Sequence, residues 1–208
     1  MVDFSFLRAS DGNVRNGSRL SVPTVHGYYR GEGMAFLRAL LPNKATNTYV
    51  ETFCAIRRAL IDKFGDLGEI RRFLIDFEMV AIKRHSQVFT QAVVKGCSFH
   101  FRQAILRRAN QGLQAHYNTN VAPEIRDWIR AIMAMTLLPA FTIPYAWFYI
   151  RQTPPSTSDA STAAKVAAFA KYFEDTWING SFPPVLWSQY TTTPDPGRPT
   201  WRKGGTTA

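Results

Sequence analysis

The stretch from Arg71 to Gly112 constrains this chain more than any other, because it switches twice between a short apolar run and a helical period. Arg71-Arg72-Phe73-Leu74-Ile75-Asp76 reads as a short buried strand that ends in an acid. Met79 to Val88 then has helical spacing. Ala92-Val93-Val94 is a second short apolar run, closed by Lys95-Gly96. From Cys97 to Ala109 the period is helical again, with Phe101, Ile105 and Ala109 on one face and Arg102, Arg107 and Arg108 off it. Gly112 is a stop signal.

Upstream, Val22 to Tyr29 and Met34 to Leu41 read as two strands joined through Gly27 and the Gly31-Glu32-Gly33 turn. Thr48 and Glu51 have capping-box spacing and open a helix. Its apolar face is Tyr49, Val50, Phe53, Ile56, Leu60, Ile61 and Phe64, and Gly65 ends it. Met1 to Leu20 reads as irregular, because Asp11-Gly12-Asn13 and Asn16-Gly17-Ser18 are turn signals. The order strand–strand–helix–strand–helix–strand–helix predicts an α/β (mixed α+β) fold, a mixed sheet covered by helices.

The second half is helical in character. Pro123 to Met135 starts with proline at a first helical position. Ala131 to Ile150 is the most apolar stretch. Pro139 and Pro144 interrupt it and Thr136 and Thr142 dilute it, so a buried helical hairpin is expected there rather than a membrane span. Pro154 to Thr162 reads as a linker, and Ala163 to Trp177 as a helix with Phe169, Phe173 and Trp177 on one face. The expected regions are an irregular segment 1–21, a core portion 22–118, a helical part 119–190 and a loose tail 191–208.

At 208 residues and 46% hydrophobic content, the chain can bury a real core, which excludes wholesale disorder. Two cysteines, Cys54 and Cys97, are too few for a disulfide framework, so reduced thiols in an intracellular compartment are expected. Met1 to Ser10 lacks the pattern of a secretory signal. A formal charge of +10 suits an anionic partner such as nucleic acid or an anionic membrane face. Many soluble proteins are basic, so charge alone does not choose.

Three constellations carry chemistry. Asp76, at the end of a buried strand, stands where sheet enzymes build sites; two-metal phosphoryl transfer needs two or three such carboxylates. The plainer role for Asp76 is to cap the helix that follows, and for Glu78 to be solvated in that helix's first turn. Cys97-x-x-His100 is one pair of zinc-ligand types, and a full site would need His85, His116 or Cys54 from elsewhere. A buried cysteine and a hydrogen-bonded histidine are the plainer reading, and no structural zinc is expected. Lys83, Arg84, Lys95, Arg102, Arg107 and Arg108 flank the same segment and are candidate phosphate contacts.

Together these residues resemble the transposase domain of Mutator-like elements, the MULE family, over about 24–190. The resemblance rests on Thr24-Val25-His26-Gly27, on Ala39 to Lys44 followed by Thr48-Tyr49, and on Ile75-Asp76-Phe77-Glu78 followed by Ala81. Its most specific piece is Gly96-Cys97-Ser98-Phe99-His100-Phe101-Arg102-Gln103-Ala104 with Gly112-Leu113 and Tyr117. Tyr172, Trp177-Ile178, Phe182-Pro183-Pro184 and Leu186-Trp187 resemble the region before the family's third acid. The resemblance implies an RNase H-like core with a helical insertion, and divalent-metal cutting and joining of DNA in the nucleus, with Mg²⁺ or Mn²⁺. It implies that Asp76 is the second catalytic and metal-binding acid, with Cys97 and His100 as its signature neighbours. Asp11, in the Asp11-Gly12 context, matches the first acid. After Gly197-Arg198 come Pro199-Thr200-Trp201 and no acid, so the third is missing and the chain is expected to be truncated or altered at both ends. Three readings follow: a transposase-derived enzyme domain; a catalytically dead remnant that binds DNA through its arginine faces; and a structural protein whose charge serves solubility. DNA is the expected partner and a membrane is not; self-association is allowed but not specified.

Overall fold

The computed structural model describes residues 2–9, 22–29, 32–38, 45–65, 70–118, 123–157 and 159–190. Helices dominate it, and the coarse class is α/β. The strands are β1 (Val2–Ala9), β2 (Val22–Tyr29), β3 (Glu32–Arg38), β4 (Ile70–Ile75) and β5 (Val93–Gly96), in the order β3-β2-β1-β4-β5. β1 and β2 are antiparallel, pairing Phe4 with Gly27 and Leu7 with Thr24. β2 and β3 are antiparallel, pairing Tyr29 with Glu32 and Thr24 with Arg38, and their register shifts between Val25 and His26. β4 and β5 form a small parallel pair.

The chain divides into two compact units. One takes in Met1–Phe73 and Lys83–Val93, the other Leu74–Ile82 and Val94–Tyr190. In the first, helix α1 (Thr46–Phe64) buries Tyr49, Phe53, Ile56 and Leu60, the face that the spacing predicts. Gly65 ends it at φ 86°, a conformation that costs other residues a steric penalty, and its N–H donates to the Ile61 carbonyl. The expected capping box is absent. The helix opens one turn earlier, with Ala45 at the N-cap and no side-chain cap, and the Thr48 carbonyl accepts from the Thr52 hydroxyl. Phe73 of β4, with His85 and Phe89 from the end of helix α2 (Met79–Val88), packs on Phe53: His85 lies 4.2 Å from the Phe73 ring, 5.1 Å from Phe89 and 5.6 Å from Phe53.

The N-terminal segment corrects the sequence reading, since Val2–Ala9 is a strand and not irregular. Its Val-Asp-Phe-Ser-Phe run does alternate with period two, but the turn signals that follow dominate the pattern.

The second unit is built on helix α3 (Ser98–Asn110), which buries Phe101, Ile105 and Ala109. Helices α4 (Gln114–Asn118), α5 (Pro123–Ala134), α6 (Ile143–Gln152), α7 (Ala160–Phe173) and α8 (Pro184–Trp187) follow. Phe101 and Phe173 are fully enclosed, each worth about 1.5–3 kcal/mol relative to exposure. α7 starts three residues before the expected Ala163, because the Asp159 carboxylate accepts the Thr162 N–H at 2.7 Å and caps it. A π turn, Glu174–Ile178, continues α7 and buries Trp177. The segment after α8 is tied down by Ser188 Oγ donating to the Leu138 carbonyl and by the Gln189 N–H donating to the Thr136 carbonyl, each at 2.7 Å.

Among the described residues no helix is long and apolar enough to cross a membrane. Ala131 to Ile150 is indeed broken, by a 3-10 turn over Met135–Leu137 and a bend before α6. Trp128 of α5 donates from Nε1 to the Ile150 carbonyl and ties α5 to α6. The hairpin is only half buried, however. Ile132, Met133, Ile143 and Trp147 face the core, while Phe141, Tyr145 and Tyr149 are exposed. A stretch without charged residues carries no amphipathic signal, so its outward face cannot be read from the period.

Candidate functional site around Asp76

β4 ends at Ile75, which is fully buried, and Asp76 is the first residue beyond it, half-buried. A peptide turn follows: the Glu78 N–H donates to the Asp76 carbonyl at 2.8 Å. The Glu78 carbonyl then accepts from Ile82 at 3.0 Å, so Glu78, not Asp76, holds the position before α2. Asp76 thus lies two residues before the helix-opening position, and Glu78 is half-buried rather than solvated.

Across the parallel pair, the Cys97 N–H donates to the Ile75 carbonyl at 2.9 Å, which sets Cys97 alongside the peptide that leads into Asp76. Cys97 is the N-cap residue of α3 and makes no side-chain cap bond, and its carbonyl accepts from Phe101 at 3.0 Å. His100 lies in the first turn of α3, half-buried, with its ring edge-on to Phe99 at 5.4 Å. Burial, and secondarily the charge of Arg107, hold His100 below its ordinary pKa, so its ring is neutral at neutral pH. The structure thus brings Asp76, Cys97 and the His100 turn to one end of the β4–β5 pair. Asp11 lies outside the described residues, as do Gly197 to Trp201.

What seats this corner was not read from the sequence. The Phe77 ring lies against the backbone of Gly96, where any Cβ would overlap it. Phe77 then meets Trp177 edge-on at 4.7 Å and Phe182 at 5.2 Å. Phe101 packs on Trp177 at 4.8 Å and stacks on Trp187 at 4.7 Å. Gln189 closes the corner, with Nε2 donating to the Gly96 carbonyl at 2.8 Å. The one available signal was a glycine closing a short apolar strand, which marks close backbone approach.

The candidate cations of the second unit lie on β5 and along α3, with Arg107 and Arg108 in its last turn. Arg102 and Arg107 are exposed on α3, Arg107 donating to Gln103 Oε1 at 3.0 Å. Arg108 is half-buried, donates to Gln111 and lies 5.0 Å over the Tyr172 ring. Lys95 Nζ donates to the Val185 carbonyl at 2.7 Å. Lys83 and Arg84 belong to the other unit.

Among the described residues no group of three or more His, Cys, Asp or Glu is placed to hold a metal ion. His116 meets the Thr162 hydroxyl at 3.4 Å, and His85 is enclosed by phenylalanines. One carboxylate, Asp76, does not by itself make a two-metal site, and Asp11, the other acid that the resemblance implies, lies outside the described residues. A groove of about 540 Å³, lined by Trp128, Arg151, Pro155, Val166, Lys171 and Glu174, lies elsewhere in the second unit. Its charges satisfy one another, through one Arg151 guanidinium nitrogen that donates to both Glu174 carboxylate oxygens at 2.7 and 2.8 Å and through a Lys171–Asp175 pair. That makes it the weaker candidate.

Compared with known proteins, this chain matches no protein-family model, no curated protein and no solved structure.

Proposed function

We propose that this chain is part of a MULE-type DNA transposase: an RNase H-like core with a helical insertion that holds DNA in the nucleus and lacks a working set of catalytic acids. The observation that carries the reading is the convergence of its separate motif blocks. The Asp76-Phe77 block, the Gly96-to-Phe101 block and the Trp177, Phe182 and Trp187 block are far apart in sequence, and they pack on one another through Phe77 and Phe101. The mixed sheet supports the core, with an acid directly after β4 and helices following β5.

The chemistry open to these residues is binding. Lys95, Arg102, Arg107 and Arg108 would hold phosphates, with a slope of log affinity on log salt of about −3 to −4 for four contacts. Among the described residues Asp76 is the one acid that the resemblance assigns, which favours the non-catalytic, DNA-binding form of the proposal over an active enzyme.

The test uses the full chain with linear duplex DNA. Salt-sensitive, sequence-tolerant binding is expected, with a slope about two units shallower in Arg102→Gln/Arg107→Gln. Affinity unchanged between low and moderate salt would overturn DNA holding. No cleavage or joining above background is expected with Mg²⁺ or Mn²⁺. Robust Mg²⁺-dependent cleavage that vanishes in Asp76→Ala would overturn the inactive assignment and restore the enzyme reading.

A further inference from the structure

α6 and the turn before it carry an apolar face that the fold leaves uncovered. Phe141 is 75% exposed, Tyr145 and Tyr149 are each 70%, and Phe148 is 48%. On α6 Tyr145, Phe148 and Tyr149 fall within one sector of about 100°, opposite Ile143 and Trp147, which are buried, and Phe141 lies in the turn before the helix. Leu137, 61% exposed, and Leu138, 36%, extend the face along the preceding turn. Taking about 200 Å² for each large side chain, the exposed parts of these six amount to roughly 700 Å² of apolar surface. The largest apolar patch on a typical monomer is about 300–600 Å². A stable interface of standard size takes about 800 Å² from each partner.

Charge points the same way. From Ala131 to Ile150 there is no Asp, Glu, Lys, Arg or His, in a chain with a formal charge of +10. This face has no cation to offer a phosphate backbone. It is also the region where two copies of so basic a chain can approach without opposing like charges. Tyrosine and phenylalanine with few charges is the composition of an interface centre, and the tyrosine hydroxyls let the same face stay wetted before association.

We infer that the α6 face joins two copies of this chain, Phe141, Tyr145 and Tyr149 of each packing against the same residues of the other in a symmetric contact. It rests on other residues than the proposed DNA contacts, so either can fail alone. It goes beyond the transposase reading, which leaves the state of assembly unspecified.

Sedimentation velocity on the full chain over a hundredfold range of concentration tests it. The expected result is a concentration-dependent monomer–dimer equilibrium. Tyr145→Lys/Tyr149→Lys is expected to weaken it by about tenfold or more, with an unchanged circular-dichroism melt at concentrations where both proteins are monomeric, because both side chains are exposed. Phe99→Ser, at a residue 60% exposed on α3, is expected to leave it unchanged. A monomer at every concentration overturns the inference, as does equal association of the double-lysine variant or equal weakening by Phe99→Ser. Adsorption of a monomer to neutral phosphatidylcholine vesicles, lost in the double-lysine variant, overturns it in favour of a lipid surface.

Discussion

Each unit holds an aromatic core, and the two treat their polar ring atoms differently. In the second, Trp187 Nε1 donates to the carbonyls of Trp177 and Phe182 at 3.0 Å, and Trp177 Nε1 donates to the Tyr172 hydroxyl at 3.2 Å. Both indole N–H groups beneath Asp76 are therefore satisfied; the unpartnered indole of this core, Trp147, carries no group that takes up a proton near neutral pH. In the first, His85 is fully buried between Phe53, Phe73 and Phe89, and neither ring nitrogen has a hydrogen-bond partner among the described residues. Burial alone pushes its pKa down to about 4. Two aromatic cores thus differ in their response to acid, because one of them encloses an imidazole and the other does not.

The sharpest way to break the comparison is to remove its satisfied side. Trp187→Ala takes away a fully buried ring, its stacking on Phe101 and two hydrogen bonds. A loss of about 3–5 kcal/mol is expected in urea unfolding; a loss below about 1 kcal/mol would mean that the Trp187 contact does not organise this core.

His85 comes next. Its folded pKa of about 4 lies below the ordinary 6.5, so the unfolded chain takes up the proton first on acidification. Protonation of His85 therefore takes nothing from stability above pH 6.5, and stability falls as pH drops from 6.5 towards 4, by up to about 1.4 kcal/mol per pH unit. Carboxylates titrate at the low end of the same window, so the diagnostic quantity is the difference from His85→Phe, which should lack this slope. Parallel pH profiles for the two proteins would refute the buried, unpartnered state.

Gly96→Ala tests the seat of Phe77, and a loss of about 1–3 kcal/mol is expected because a phenyl ring cannot yield as a flexible chain can. Phe77→Leu in the same chain should recover part of it; no recovery would place the strain elsewhere. The smallest effect concerns His100. Followed by NMR, it should titrate below 6.5, and Arg107→Gln should move it up without reaching that value, because burial is the larger cause. A midpoint at or above 6.5 in the unsubstituted protein would contradict its half-buried position.

The contrast between the cores also shows what the sequence could carry. β4, α2, β5 and α3 were readable because each changes the hydrophobic period, and Asp76 was readable as the acid at the close of a strand. The aromatic partners of Phe77 were not, since Trp177 and Phe182 lie about a hundred residues away and no local pattern encodes that approach. β1 was hidden behind the glycine turns that follow it, and the start of α7 behind a Pro-, Ser- and Thr-rich run in which Asp159 is the cap. Thr48 and Glu51 had the right spacing for a cap at the wrong turn of the helix. The outward face of α6 was invisible, because twenty uncharged residues look alike to a test of periodicity.

Gln189 sets the order in which this molecule can be completed during synthesis. Its side chain closes on Gly96, 93 residues earlier, and its backbone closes on Thr136. At roughly 5–20 residues per second, the ribosome needs about 5–20 s to travel from one partner to the other. For that interval the Gly96 carbonyl waits for its donor, and the α3 end of the aromatic core is open to solvent, or to a chaperone, until Trp187 emerges. A premature stop between Phe173 and Trp187 would therefore release a chain with most of its helices and an unfinished core, the kind of product that quality control removes.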